Sequence, residues 1–179
     1  MLNKYWLPFL GSELKAEKFS EQKKIFLLLE IMKYEKYQLE SDKKLLLIEF
    51  VSVGPKGRIK KLVQYTETNL KDYYNLGFGD KDEITGELND LVITNNGDSQ
   101  QVLATVASTV YAFTEKHPDA WIYAKGSTNV RTRLYRIGIT NNLVEIKKDF
   151  DVYGLKNDQW HVFRKEIEYK AFLIKRKKS

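Results

Sequence analysis

Between Asp90 and Ile139 the apolar residues change their spacing three times, and this restricts the fold more than any other feature of the chain. Leu91, Val92 and Ile93 form a short run that stops at Asn95-Asn96-Gly97. Val102, Leu103, Val106, Val110 and Phe113 then recur at the three- and four-residue spacing of one helix face, and His117-Pro118 ends that pattern. Asp98-Ser99 stands where a short oxygen-bearing side chain caps a helix N-terminus. Ala120-Trp-Ile-Tyr-Ala124 is too short for a free helix and reads as a strand. Ser127 or Thr128 can cap a second helix carrying Val130, Leu134 and Ile137, which Gly138 terminates. The order predicts β-α-β-α, with two adjacent parallel strands joined by a right-handed crossover. Both helix N-termini then emerge at the same sheet edge.

The flanking segments supply the rest of a sheet. Residues 45–53 and 58–65 are β-rich runs around Gly54-Pro55-Lys56-Gly57, which predicts an antiparallel hairpin. Residues 73–78 add a strand, and an acidic link with Asp80, Asp82, Glu83 and Glu87 passes through a Thr85-Gly86 turn into the 91–95 strand. After Gly138, Thr140 can cap a short helix, and residues 150–154 and 169–174 close the sheet around an Asn157-Asp158 loop. The fold class is therefore α+β, with a mixed, largely antiparallel sheet around a β-α-β-α core. One domain spans 32–174, behind an extension over 1–31 with a helical preference and ahead of a basic tail, 175–179.

Composition removes several chemistries. The chain holds no cysteine, which excludes disulfides, thiolate nucleophiles and cysteine-ligated metals, and fits a reducing, cytoplasmic setting. The apolar run at 25–29 is far too short to span a bilayer, so no membrane association is expected. His117 and His161 lie far apart with no carboxylates at ligand spacing, and no metal is expected. Asp119 with Glu145 and Lys147 matches a magnesium-nuclease pattern only if Glu145 and Lys147 share a strand face, whereas 140–148 reads as helical. Gly77-Phe-Gly79 and the 54–57 turn complete no phosphate-binding fingerprint and read as bend or turn glycines.

Two constellations remain. The net charge is +6, and because residues 1–90 are balanced the whole excess lies in the second half. No acid stands between Asp119 and Glu145, where Lys125, Arg131, Arg133 and Arg136 form a basic strip able to meet nucleic acid or an acidic partner. Arg131 and Tyr135, four apart, share a helix face, with Arg133 and Arg136 pointing elsewhere. Trp121 or Tyr123 could add base stacking only if their strand faces outward. At the other constellation, backbone amides at Asn96-Gly97-Asp98-Ser99 and Gly126-Ser127-Thr128 could receive a phosphate or carboxylate. An ordinary Asp98 cap at the same place is the competing reading.

From about residue 34 onward, segments such as 50–59, Tyr74-Asn-Leu-Gly-Phe-Gly-Asp80, Asn95-Asn-Gly-Asp98, 102–113 and Arg131-Thr-Arg-Leu-Tyr-Arg136 resemble a bacterial family known only as a domain of unknown function. That likeness implies no activity. The order of elements, with Leu134-Tyr135 near a helix end, is similar to the GNAT acetyltransferase superfamily. The resemblance implies that Asn96, Gly97, Ser99, Gln100 and Gln101 cradle the pyrophosphate of acetyl-CoA or another acyl-CoA. It also implies that Tyr135 is a general acid for the departing thiolate, with a carboxylate or water as base. The sequence departs from that pattern: one glycine remains in the loop, Asp98 opposes pyrophosphate, and the Leu-Tyr to Gly138 spacing is one residue short. The alternative is a non-catalytic module that meets nucleic acid or an acidic protein partner, a small protein among them, through the basic strip and the tail.

Overall fold

A computed structural model of the chain describes residues 35–91 and 94–178. Contacts divide the chain into units 1–35 and 36–179, and only the second is described here. The expected extension over 1–31 lies outside the described residues, as do Val92 and Ile93.

The described strands are β1 (Glu40–Ser41), β2 (Leu47–Gly54), β3 (Gly57–Glu67), β4 (Tyr73–Lys81), β5 (Leu88–Asn89), β6 (Trp121–Ala124), β7 (Phe150–Lys156), β8 (Gln159–Val162) and β9 (Phe172–Arg176). They form one sheet in the order β1-β2-β3-β4-β6-β9-β7-β8, with β5 pairing to β4 beside this path. Every described pair is antiparallel except β4 with β6. Among the described residues there are three helices: α1 (Ser99–Lys116), α2 (Asn129–Asn141) and α3 (Leu143–Asp149). The α+β class, the mixed and mostly antiparallel sheet and the β-α-β-α order are as the sequence predicts.

The parallel pair is not the expected one. Leu91 and residues 94–95 are not in a strand, and the partner of β6 is β4, one segment further upstream. Glycine explains the difference. A Cβ on Gly77 would lie 2.7 Å from the Leu88 side chain, and one on Gly79 would lie 2.4 Å from the Asn89 carbonyl. These glycines are mid-strand openings for β5 rather than turn residues.

Alternation fixes the two faces of the sheet. Ile48, Phe50, Val63, Tyr65, Leu76, Ile122 and Ile174 form one core with Val102, Val106, Val110 and Phe113 of α1, Ile139 of α2 and Leu143 of α3. Tyr65 and Phe113 stack at 3.9 Å between centroids, and the Tyr65 hydroxyl meets Thr109 at 2.9 Å, so the sheet and α1 lock through one aromatic pair. Gly138 does not end α2. A Cβ there would meet the Leu103 side chain at an ordinary 3.5 Å, and the helix runs on through this position to Asn141. Residues 143–149 are helical, so Glu145 and Lys147 do not share a strand face. Asn157 and Asp158, both with positive φ, make the tight turn between β7 and a strand the sequence pattern missed, β8.

Above this core the same sheet face turns polar. Asn96 is 1% exposed; its Oδ1 accepts from the Lys56 N–H at 2.8 Å, and its Nδ2 donates to Ser52 Oγ and the Gly57 carbonyl. The loop before α1 is thereby stitched to the β2–β3 turn. Asn96→Ala leaves these groups without their buried partner and is expected to cost about 2–3 kcal/mol of unfolding free energy. Urea denaturation measures this, and a loss below about 0.5 kcal/mol would contradict the assigned role.

Candidate functional site at the end of the parallel pair

Strands β4 and β6 pair only from Tyr73–Leu76 to Trp121–Ala124 and then part. Beyond that point Asp80 and Lys81 of β4 pair instead with β5. Crevices outside the carboxyl ends of parallel strands are where open sheets commonly hold ligands. Two hollows lie at this end.

The smaller, about 240 Å³, is lined by Lys61, Asp80, Thr94, Asp98, Ser99 and Arg131 among others. Lys61, 4% exposed, forms an ion pair with Asp80, which also accepts a hydrogen bond from the Thr94 hydroxyl. The Asp98 carboxylate accepts from Tyr37 Oη at 2.7 Å and from Ser52 Oγ at 2.6 Å. It therefore does not cap α1 with its side chain, contrary to the capping expectation; only its carbonyl receives the Val102 N–H. The first turn of α1 carries no acid, and Ser99 and Gln100 are exposed. Gly97 has φ +79° and packs against Pro55, so it serves the loop's turn.

Arg131 is buried, and its guanidinium donates to the Phe78 carbonyl at 2.6 Å, on the part of β4 that β6 no longer covers. Tyr135 lies one turn further along the same helix face, its phenol next to the Phe78 backbone. Burial pushes its phenol up to about 12; Arg131 and the Phe78 backbone oppose this, and Asp90 adds to it. The ring lines a small apolar cavity of about 70 Å³ together with Leu76, Val106 and Ala124. Gly126 lies against the first turn of α2, where a Cβ would come within 2.4 Å of the Thr132 nitrogen, so this glycine serves helix packing. Thr128 caps α2 through the Arg131 N–H, one of the two caps the sequence allows.

The larger hollow is an open cleft of about 890 Å³ outside the end of β6. Lys125, Arg133 and Arg136 line it, joined by Lys156 and Lys170, with Glu168 as the acid of the lining. Arg136 reaches Glu168 at 3.8 Å and Lys170 reaches Asp158 at 3.3 Å. Among the described residues, Lys125, Arg133 and Lys156 form no salt bridge. Three of the four predicted basic residues thus converge, while Arg131 is spent on the β4 backbone. Lys156 and Lys170 escape a sequence reading because they come from β7 and the approach to β9, some 20 to 45 positions from the residues of the basic strip. The expected tail does not join the cleft: Lys175 and Arg176 are in β9, and Lys178 pairs with Asp119. Among the described residues no three His, Asp or Glu side chains gather as metal ligands, and no helix is long and apolar enough to cross a membrane.

The Tyr135 phenol makes stability depend on alkaline pH. Its folded value lies above the ordinary 10.0, so the neutral form is favoured in the fold; the stability is full below pH 10 and falls between about 10 and 12. One whole proton corresponds to about 1.4 kcal/mol per pH unit. Tyr65 and Tyr111 are raised by burial as well. Tyr135→Phe should therefore flatten, without abolishing, the decline seen by urea denaturation at pH 9 to 11. An unchanged slope would show that the phenol titrates as in the unfolded chain.

No curated protein and no solved structure matches the chain. Residues 33–177, nearly the whole of the described unit, match DUF6934, a family of unknown function, and the chain belongs to that family.

Proposed function

We propose that this protein is a binding module for a phosphate-bearing ligand, whose charge is seated in the basic cleft outside β6. The observation that carries this reading is the convergence of Lys125, Arg133, Arg136, Lys156 and Lys170 on one open hollow of about 890 Å³. Cations held around low-dielectric walls attract polyanions and give binding that weakens with salt. The walls are a helix start, a hairpin and a strand end, which favours recognition over chemistry.

A second reading keeps the acetyltransferase likeness. Its support is the parallel β4–β6 pair that parts beside α1, and the absence of a side-chain cap or an acid in the first turn of α1. Here the amides at Ser99, Gln100 and Gln101 would hold the pyrophosphate of an acyl-CoA, and Tyr135, which keeps its proton at neutral pH, would be the acid. Against it, Leu88 and Asn89 run along β4 where it leaves β6, and the Asn96 side chain is fully engaged. A degenerate acetyltransferase that kept the fold and lost the reaction reconciles both sets of observations.

Thermal shift with coenzyme A, ATP and a short oligonucleotide at low and moderate salt tests the two. A ligand at a hundred times its Kd stabilises by about 2.7 kcal/mol. The cleft reading expects a salt-sensitive shift that disappears in Arg133→Glu/Lys156→Glu, and no shift, or one that survives the reversal, overturns it. The acyl-CoA reading expects a coenzyme A shift lost in Gln100→Glu/Gln101→Glu. Those acids suit the helix dipole and leave α1 as stable or slightly more so, by about 0.3–1 kcal/mol each.

A further inference from the structure

We infer that the ligand is a single-stranded nucleic acid whose phosphates follow the basic cleft and whose bases lie on the helix-free face of the sheet. This rests on the cleft reading and names its ligand class. Ile122 and Ala124 point into the core, so Trp121 and Tyr123 between them point to the opposite face. Register places Tyr73, Tyr153 and Trp160 on that side too. Among the described residues no helix covers it.

The outer face of an antiparallel sheet that meets water is ordinarily polar. Here an aromatic strip crosses it. Tyr73 and Trp121 stack at 5.7 Å, Trp121 and Tyr153 lie 6.3 Å apart, and Tyr123 meets Trp160 edge-on at 6.2 Å. Trp160 and its neighbour on the same face, Val162, are 41% and 62% exposed.

Cations are interleaved with the rings. Lys175 lies over the Trp121 ring at 5.5 Å, and the cleft's Lys125 follows Tyr123 by two residues on the same strand alternation, whereas Arg58 and Lys60 of the same face lie further along β3, away from the rings. Among the described strand residues the acids of the same face are Glu40, Glu49, which is paired with Lys81, and Asp151. The core of a protein–protein interface is depleted of charge, whereas stacking rings among lysines and arginines suit bases on a phosphate backbone.

Strip and cleft are continuous. Leu155 lines the cleft and is the cross-strand partner of Trp160, while Tyr123 stands two residues before the cleft's Lys125. A chain seated by its phosphates among Lys125, Arg133 and Lys156 therefore passes directly onto Tyr123 and Trp160. The bases of a duplex are stacked and paired, so this face requires a single strand.

The test is fluorescence anisotropy with labelled oligo(dT) and oligo(U) of about 15 nucleotides, the upper end of a single-fold site, against competing inorganic polyphosphate and the corresponding duplex. Each oligonucleotide should bind at least about tenfold more tightly than either competitor. Trp160→Ala and Tyr123→Ala should each weaken oligonucleotide binding about tenfold or more, as loss of one stacked base predicts, and leave polyphosphate affinity unchanged. That unchanged affinity also shows the variants to be folded. Preference for oligo(U) or oligo(dT) identifies RNA or DNA as the source.

Polyphosphate binding as tight as the oligonucleotide, with the aromatic variants silent, would overturn the inference and leave the cleft reading standing. Failure of every polyanion to bind would remove both. Sedimentation that reports a dimer dissociated by Trp160→Ala, without an effect on oligonucleotide binding, would assign the aromatic face to self-association instead.

Discussion

The four-residue ladder between Tyr73–Leu76 and Trp121–Ala124 is the constraint from which the functional end of the molecule follows. A parallel pair needs a crossover, and α1 supplies it while burying its apolar face on the sheet. The ladder stops after Leu76 because Gly77 and Gly79 admit Leu88 and Asn89 beside β4, and because Arg131 reaches over to the Phe78 carbonyl. Beyond the buried Ala124, which β9 still pairs, the chain turns through Lys125 into α2. Lys125 and the start of α2 then face the β7–β8 turn across open space, and that space is the basic cleft.

Polar groups at this end divide into those already satisfied and those still available. Asn96, Asp98, Ser52, Lys61 and Asp80 lie above the core on its own sheet face, and hydrogen bonds or an ion pair occupy them. Buried polar groups are tolerated on that condition, and removing one partner leaves the other expensive to keep. They fasten the loop before α1 to the β2–β3 hairpin. The exposed Lys125, Arg133 and Lys156 carry charge without a salt bridge among the described residues. The asymmetry separates a supporting layer from an unpaired basic surface, and it is the feature on which the proposed charge-driven ligand rests.

Among the described residues helices cover one sheet face, and the other carries an aromatic strip with Lys175 over Trp121. The strip and the cleft share Leu155 and the end of β6, so the proposed ligand would meet them in sequence rather than as separate sites.

The sequence alone determined the elements whose signals are local. The 45–65 hairpin around its Pro-Gly turn, the α1 periodicity up to His117, the four apolar-flanked residues of β6 and the Thr128 cap were legible because each depends on neighbours within a few positions. The acid-free stretch that carries Lys125, Arg133 and Arg136 was legible for the same reason, but that these three line one hollow was not. Only the tertiary structure decided that β4 rather than 91–95 pairs with β6, that Gly77 and Gly79 make room for β5, and that α2 continues through Gly138. It also turned Asp98 from its own helix toward Tyr37 and Ser52, buried Arg131, and added Lys156 and Lys170 to the cleft. The physical reason is range: periodicity and capping are set within a turn or two of chain, whereas pairing, close approach and the partner of a buried charge depend on segments that meet only after folding.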